Sequence, residues 1–135
     1  MEVTLALMAE AANATADGRL NIHAAFTTLG FLQFPVTIPK MVLVLRLEIE
    51  EQDWGRTHGI AVTIYDESDA VVTTTDASVD LPADGEGRQS IAFFQLFEFV
   101  RLTFAQPGEY EVVVEVGDEA KESVLLTLGQ LEPPD

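Results

Sequence analysis

From Gly108 the chain reads Gly-Glu-Tyr-Glu-Val-Val-Val-Glu-Val, then Gly-Asp-Glu-Ala, then Lys-Glu-Ser-Val-Leu-Leu-Thr-Leu, ending at Leu128. Tyr110, Val112, Val114 and Val116 share one parity, while Glu109, Glu111 and Glu115 share the other. A period of two is the mark of a strand lying between an apolar core and water. The stretch from Leu102 to Leu128 therefore predicts a C-terminal hairpin, with Tyr110 in the core and Val113 half-covered. A chain that ends in this way is committed to burying one face of a sheet.

The same period recurs upstream. Glu2 to Ala9 reads as a strand, with Val3, Leu5, Leu7 and Ala9 on one face and Glu2, Thr4, Ala6 and Met8 on the other. Asp17-Gly18 is a turn signal, and Leu20 to Thr27 follows as a strand. Thr28 to Lys40 holds Gly30, Pro35 and Pro39 and reads as a crossing loop or edge segment, because proline cannot donate to a ladder. Its Phe31, Leu32 and Phe34 are expected to plug one end of the core. Met41 to Glu50 predicts a strand buried on both faces at its start. It is expected to pair as an antiparallel hairpin with His58 to Asp66, across a polar turn carrying Trp54 and Gly55.

Val71 to Ala77 reads as an edge strand, and Ser78 to Gln89, with Pro82, Gly85 and Gly87, as a loop. From Ser90 to Val100 both parities are apolar: Ile91, Phe93, Phe97 and Phe99 on one, Phe94, Leu96 and Val100 on the other. A bulge near Gln95 to Glu98, or a strand that changes sheets, would reconcile them. About eight short strands with turns roughly every 8 to 12 residues and no amphipathic helix predict an all-β fold. The expectation is one antiparallel β-sandwich domain over residues 1–131, of Ig-like or related Greek-key topology, with residues 132–135 as a short tail.

Charge restricts the partners. There are 23 acidic residues against seven basic ones, a formal net charge of −16. Such a surface repels nucleic acid and anionic membrane, and no basic patch is visible. There is no cysteine, which removes disulfides, thiolate zinc sites and cysteine nucleophiles, and fits a reducing, cytoplasmic setting. No apolar run of membrane-spanning length occurs. The short apolar run after Glu2 follows no Lys or Arg, so it is not read as a signal peptide.

Two stretches carry a resemblance. The opening Met-Glu-Val-Thr-Leu-Ala-Leu-Met-Ala, followed by Ala-Asn-Ala-Thr-Ala-Asp-Gly-Arg-Leu-Asn-Ile, resembles the start of a bacterial family of uncharacterised proteins of similar length. Phe34-Pro35 before Met-Val-Leu-Val-Leu-Arg-Leu-Glu, and Pro107-Gly108-Glu109-Tyr110, sit where that family has similar residues. The resemblance spans most of the chain and implies a single β domain, with no activity attached. Gly108 to Tyr110 also resembles the tyrosine corner of immunoglobulin-like sandwiches.

Motifs for chemistry are sparse. His23 and His58 are the only histidines, and no ligand spacing supports them. No serine lies in a nucleophile elbow, and no glycine-rich phosphate loop occurs. Calcium is the sharper idea, since it takes six to eight oxygens from clustered carboxylates and carbonyls. Asp66, Glu67 and Asp69 fall in one predicted turn, and Asp80, Asp84 and Glu86 in a later loop. If both lie at one end of the sandwich, they form a candidate site. Trp54 with Tyr65 is a candidate aromatic platform for sugar. No catalytic residue and no cofactor is assigned. The leading expectation is a non-enzymatic interaction or structural module with a protein partner. That partner could be a second copy, through an uncovered face of the aromatic strand.

Overall fold

The computed structural model describes residues 1–83 and 91–134. Among them the chain forms β1 (Glu2–Ala14), β2 (Leu20–Phe26), β3 (Thr28–Phe31), β4 (Val36–Ile49), β5 (Thr57–Tyr65), β6 (Val71–Asp80), β7 (Ile91–Phe104), β8 (Gly108–Val116) and β9 (Glu119–Gln130). A single 3₁₀ turn, Glu51–Asp53, lies between β4 and β5. The strands make a four-stranded sheet in the order β2-β1-β4-β7 and a five-stranded sheet in the order β3-β9-β8-β5-β6. This is the expected all-β sandwich, with nine strands rather than about eight. The additional strand comes from the segment read as a crossing loop. The chain leaves the first sheet after Phe26, and Thr28–Phe31 pairs parallel to β9 in the second.

Between the sheets lies one apolar core. Met41, Leu43, Leu45 and Leu47 of β4 face Ile60, Val62 and Ile64 of β5 and Val112 and Val114 of β8. β4 and β5 are therefore not the hairpin their sequence proximity suggested. β4 pairs with β1 and β7, and β5 with β6 and β8. The Glu51–Asp53 turn carries the chain across the sandwich, so the apolar faces of β4 and β5 meet by packing instead of by a ladder. The β8–β9 hairpin forms from Gly108↔Leu128 to Val116↔Glu119, but Leu102 to Phe104, expected in it, end β7 in the other sheet, because the bend at Gly108 carries the chain across.

Strand parity changes where the apolar residues change parity. In β1 the register shifts between Val3 and Leu5. Beyond that shift Ala6 and Met8 join the core, and Leu5, Leu7 and Ala9 take the opposite face from Val3. The expected single face Val3-Leu5-Leu7-Ala9 is thus broken by a bulge at Thr4. In β7 the inversion falls at Arg101, whose φ is +54°, and not between Gln95 and Glu98. Phe97 and Phe99 point inward before it, and Leu102 and Phe104 point inward after it. Between β3 and β4, Phe31 and Phe34 pack against the core, edge to face with each other, whereas Leu32, expected to join them, is exposed. β6 is the edge strand that was expected, but it extends past Ala77 to Asp80.

Tyr110 is 4% exposed and stands edge to face with Phe104, ring centroids 4.8 Å apart. Its hydroxyl donates to the Gln106 carbonyl. Gly108 makes that bend possible: its φ is +150°, and a Cβ there would lie 2.8 Å from Glu67 Oε1. Tyr110→Ala should therefore cost about 3–5 kcal/mol of unfolding free energy. Tyr110→Phe, which removes only the hydroxyl, should cost about 1 kcal/mol. Urea denaturation measures both. A cost for Tyr110→Ala below about 1 kcal/mol would show that the corner does not anchor the hairpin.

Candidate functional site

The outer face of the four-stranded sheet departs most from ordinary surface chemistry. Ladder partners stand on the same face of a sheet, so the register assigns its members. Leu5, Leu7 and Ala9 of β1 lie opposite Arg46, Val44 and Val42 of β4, which in turn lie opposite Phe94, Leu96 and Glu98 of β7. Ala9, Val42 and Val44 are 0%, 2% and 0% exposed, although none belongs to the core between the sheets. Leu5, Leu7, Phe94 and Leu96 are half-buried around them. Val100, further along the same strand, is 61% exposed.

Both cations of β4 on this face have a carboxylate beside them, and Glu2, opposite Glu48 in the ladder, is held by Lys121 of β9. Arg46 Nη1 pairs with Glu48 Oε1 at 2.9 Å and donates to Thr4 Oγ1 at 2.8 Å. Lys40 lies 3.9 Å from Glu98. The outward positions of β5, β6 and β8 on the opposite sheet carry Asp76, Asp80, Glu109, Glu111 and Glu115 and no basic side chain. Negative charge is thus concentrated on one side of the sandwich.

Among the carboxylates proposed for calcium, Asp80 does not meet Asp66, Glu67 and Asp69. β5 and β6 are antiparallel, with Tyr65↔Val71 at one end and Thr57↔Asp80 at the other. Asp66, Glu67 and Asp69 sit in the turn at the first end, so Asp80 is about 30 Å away along a strand rising about 3.3 Å per residue. Asp84 and Glu86 lie outside the described residues. Among the described residues, no three His, Cys, Asp or Glu side chains come together as a metal site. Each acid at the first end has a local task. Asp66 Oδ1 accepts from Ser68 N–H, Ser68 Oγ–H and Ala70 N–H. The Ser68 hydroxyl and then the Ala70 amide hold its carboxyl below the usual aspartate range. Glu67 accepts from the Glu109 amide at 2.7 Å. Asp69 takes the left-handed turn position, with φ +64°. Asp80 accepts from the Thr57 hydroxyl. A cavity of about 520 Å³ lies beside this turn, lined by Glu67, Val72, Thr103 and Tyr110 among others. Burial, opposed by the Gln106 bond and reinforced by Asp66 and Glu67, raises the Tyr110 phenol above its ordinary range.

Trp54 and Tyr65 do not form a platform either. Trp54 packs against the core just before β5, and Tyr65 closes the far end of that strand. The histidines are separated as well. His23 is on exposed β2 in one sheet, and His58 is on β5 in the other. His58 Nε2 is 2.8 Å from the Asp53 carbonyl.

Sequence reasoning missed Asp53, the buried charged residue among those described, at 6% exposure. Its Oδ2 pairs with the Met1 α-ammonium at 2.8 Å and accepts from the Glu50 amide at 2.8 Å. Burial alone would raise its pKa. The ammonium, the Glu50 amide and His58 outweigh burial and hold it below the ordinary value of 3.8. The sequence signal was an acid closing a one-turn helix whose preceding residue it could cap.

The comparisons with known proteins fall on this fold. A family model of unknown function matches residues 4–129 of the 135. The chain belongs to DUF6941. No curated protein and no solved structure matches this member of DUF6941. The family spans all nine strands, from within β1 to within β9. The outer face is therefore built entirely from the family's own domain.

Asp53→Asn should destabilise the protein by on the order of 1–3 kcal/mol near neutral pH, the scale of a lost charged hydrogen bond. The native pKa is depressed, so the stabilisation is complete above the unfolded value and fades as pH falls below 3.8. Unfolding midpoints of wild type and variant should converge on acidification. A gap that persists at the lowest pH would show that packing, not charge, accounts for Asp53.

Proposed function

We propose that the protein is a non-enzymatic interaction module of the cytoplasm that pairs with a second copy of itself through the outer face of the four-stranded sheet. One observation carries the reading: Ala9, Val42 and Val44 are buried on the side facing away from the core, inside a half-buried ring of Leu5, Leu7, Phe94 and Leu96. Contiguous apolar area of this kind is a mark of interfaces in soluble chains. A twofold interface must be self-complementary, and this face carries Arg46 with Glu48 and Lys40 with Glu98. A face carrying both signs can present cations to the anions of a rotated copy.

Other features support the reading. Displaced titratable groups are each held by local structure: Asp17 by Arg19 and Thr15, Asp66 by its turn, Lys121 by Glu119 and Glu2. None needs a catalytic explanation. The excess of acid argues against nucleic acid and anionic membrane as partners. No helix among the described residues is long and apolar enough to cross a membrane. The absence of cysteine is in keeping with a reducing compartment. An Ig-like assignment for the sandwich rests on the adjacency of β5, β8 and β9 and on the Tyr110 corner.

Light scattering coupled to size exclusion tests the proposal. Wild type should run at twice the chain mass. Leu96→Glu, placed outside the core, should run as a monomer with an unchanged circular dichroism spectrum. A wild type that remains monomeric at its highest soluble concentration would overturn self-association. So would a Leu96→Glu variant that stays dimeric.

A further inference from the structure

β1 and β4 separate part-way along their length. Their ladder runs from Glu2↔Glu48 to Ala9↔Val42 and ends there. Beyond it β1 continues to Ala14 with only β2 beside it. β4, from Val36 to Met41, has only β7 beside it. The strands diverge in a V, and a cleft of about 510 Å³ opens between them.

The floor of the cleft is apolar. Phe26, Leu29 and Phe31 are half-buried there, and Ile38 and Met41 expose 7% and 1% of their surface. The chain crosses from one sheet to the other just below, which is why Phe26 and Phe31 come from different sheets. The side walls are alanines, among them Ala24, which holds a φ of +53° in the middle of a strand. A non-glycine residue in that region costs about 1–3 kcal/mol, and such residues cluster at binding sites.

Two charges stand at the lips, Glu10 on β1 and Lys40 on β4. Lys40 is one of two lysines in a chain of net charge −16. Its nearest carboxylate partner, Glu98, is 3.9 Å away, the outer limit of an ion pair, and an ammonium has three donors to offer. The volume falls in the range of small-molecule sites, which are mostly apolar with a few placed polar groups. We propose that this cleft binds a linear apolar molecule ending in a carboxylate, with the chain on Phe26, Leu29, Phe31 and Ile38 and the head at Lys40. Glu10 opposes the head and sets a ceiling on affinity. The cleft adjoins the outer face and shares Lys40 with it, but its apolar lining includes none of Leu7, Val44 or Leu96.

Decanoate below its micellar concentration is the probe, followed by methyl chemical shifts of the full chain. Saturable shifts at Leu29, Ile38 and Met41 are expected. Lys40→Gln should weaken decanoate about five-fold, the upper range for an exposed ion pair, and leave decanol unchanged. Glu10→Gln should tighten decanoate. Ala25→Phe, at an exposed position on the cleft wall, should block both probes, with the unliganded melting temperature reporting that the fold is intact. The proposal is overturned by the absence of saturable shifts, by shifts at Leu7 and Leu96 instead, by equal affinity of wild type and Lys40→Gln for decanoate, or by binding that survives Ala25→Phe. If Ala25→Phe melts early, Ala24→Leu on the same wall replaces it under the same criterion.

Discussion

A strand shows alternate residues to opposite faces, and this chain contains more apolar residues in β1, β4 and β7 than one face can take. Everything else in the four-stranded sheet follows from that conflict. The backbone resolves part of it by inverting parity, at the Thr4 bulge in β1 and at Arg101 in β7. The Thr4 bulge brings Ala6 and Met8 to the core and turns Leu5, Leu7 and Ala9 outward, whereas the inversion at Arg101 returns Leu102 and Phe104 to the core. Arg101 adds the cost of a left-handed φ in a side-chain-bearing residue, about 1–2 kcal/mol. That strain persists because Phe97 and Phe99 on one side of it, and Leu102 and Phe104 on the other, can then all reach the core.

What the inversions do not absorb remains outside. Leu7, Val44 and Leu96 align across three strands on the face away from the core, and the β4 residue between the other two loses all its exposure. Val44 stands between Leu7 and Leu96 in the ladders of the same sheet. A sheet face of this composition has apolar side chains already ordered by their neighbours. Covering it therefore immobilises little that was free, which lowers the entropic cost of association.

Period-two alternation was enough to read the C-terminal hairpin and its inward residues. Tyr110, Val112 and Val114 are buried, Glu109 and Glu111 are exposed, and Val113 is half-covered, because an edge-free pair of strands has only one way to face a core. Topology was less legible. β4 and β5 are neighbours in sequence with well-matched patterns, yet they lie in different sheets, because two strands with equally apolar faces are satisfied by packing as well as by pairing. β3 was hidden by Gly30 within it and Pro35 after it, although its four residues carry a parallel ladder. The candidate site was half legible. A doubly apolar β7 signalled a surplus, but which residues would be left outside depended on where the bulges fell. In the acidic turn, Asp66 Oδ1 accepts from two backbone amides and a hydroxyl and Asp69 holds the left-handed position, so turn chemistry accounts for an acid at both places.

Net charge would seem to oppose association between copies that each carry −16. The distribution of that charge removes the objection. Asp76, Asp80, Glu109, Glu111 and Glu115 face outward from the five-stranded sheet, and stacked sheets lie about 10 Å apart. Two sandwiches joined through their four-stranded sheets would hold these acidic faces three sheet spacings apart, roughly 30 Å. That is several times the screening length of about 8 Å at physiological ionic strength. The acids nearest the interface, Glu48 and Glu98, each have a cation on the same strand or its neighbour. Repulsion then acts mainly against the other possible contact, acidic face to acidic face. In the proposed dimer, one charge pattern would favour pairing through the four-stranded sheet, and the acids of β6 would oppose edge-to-edge joining of further copies there.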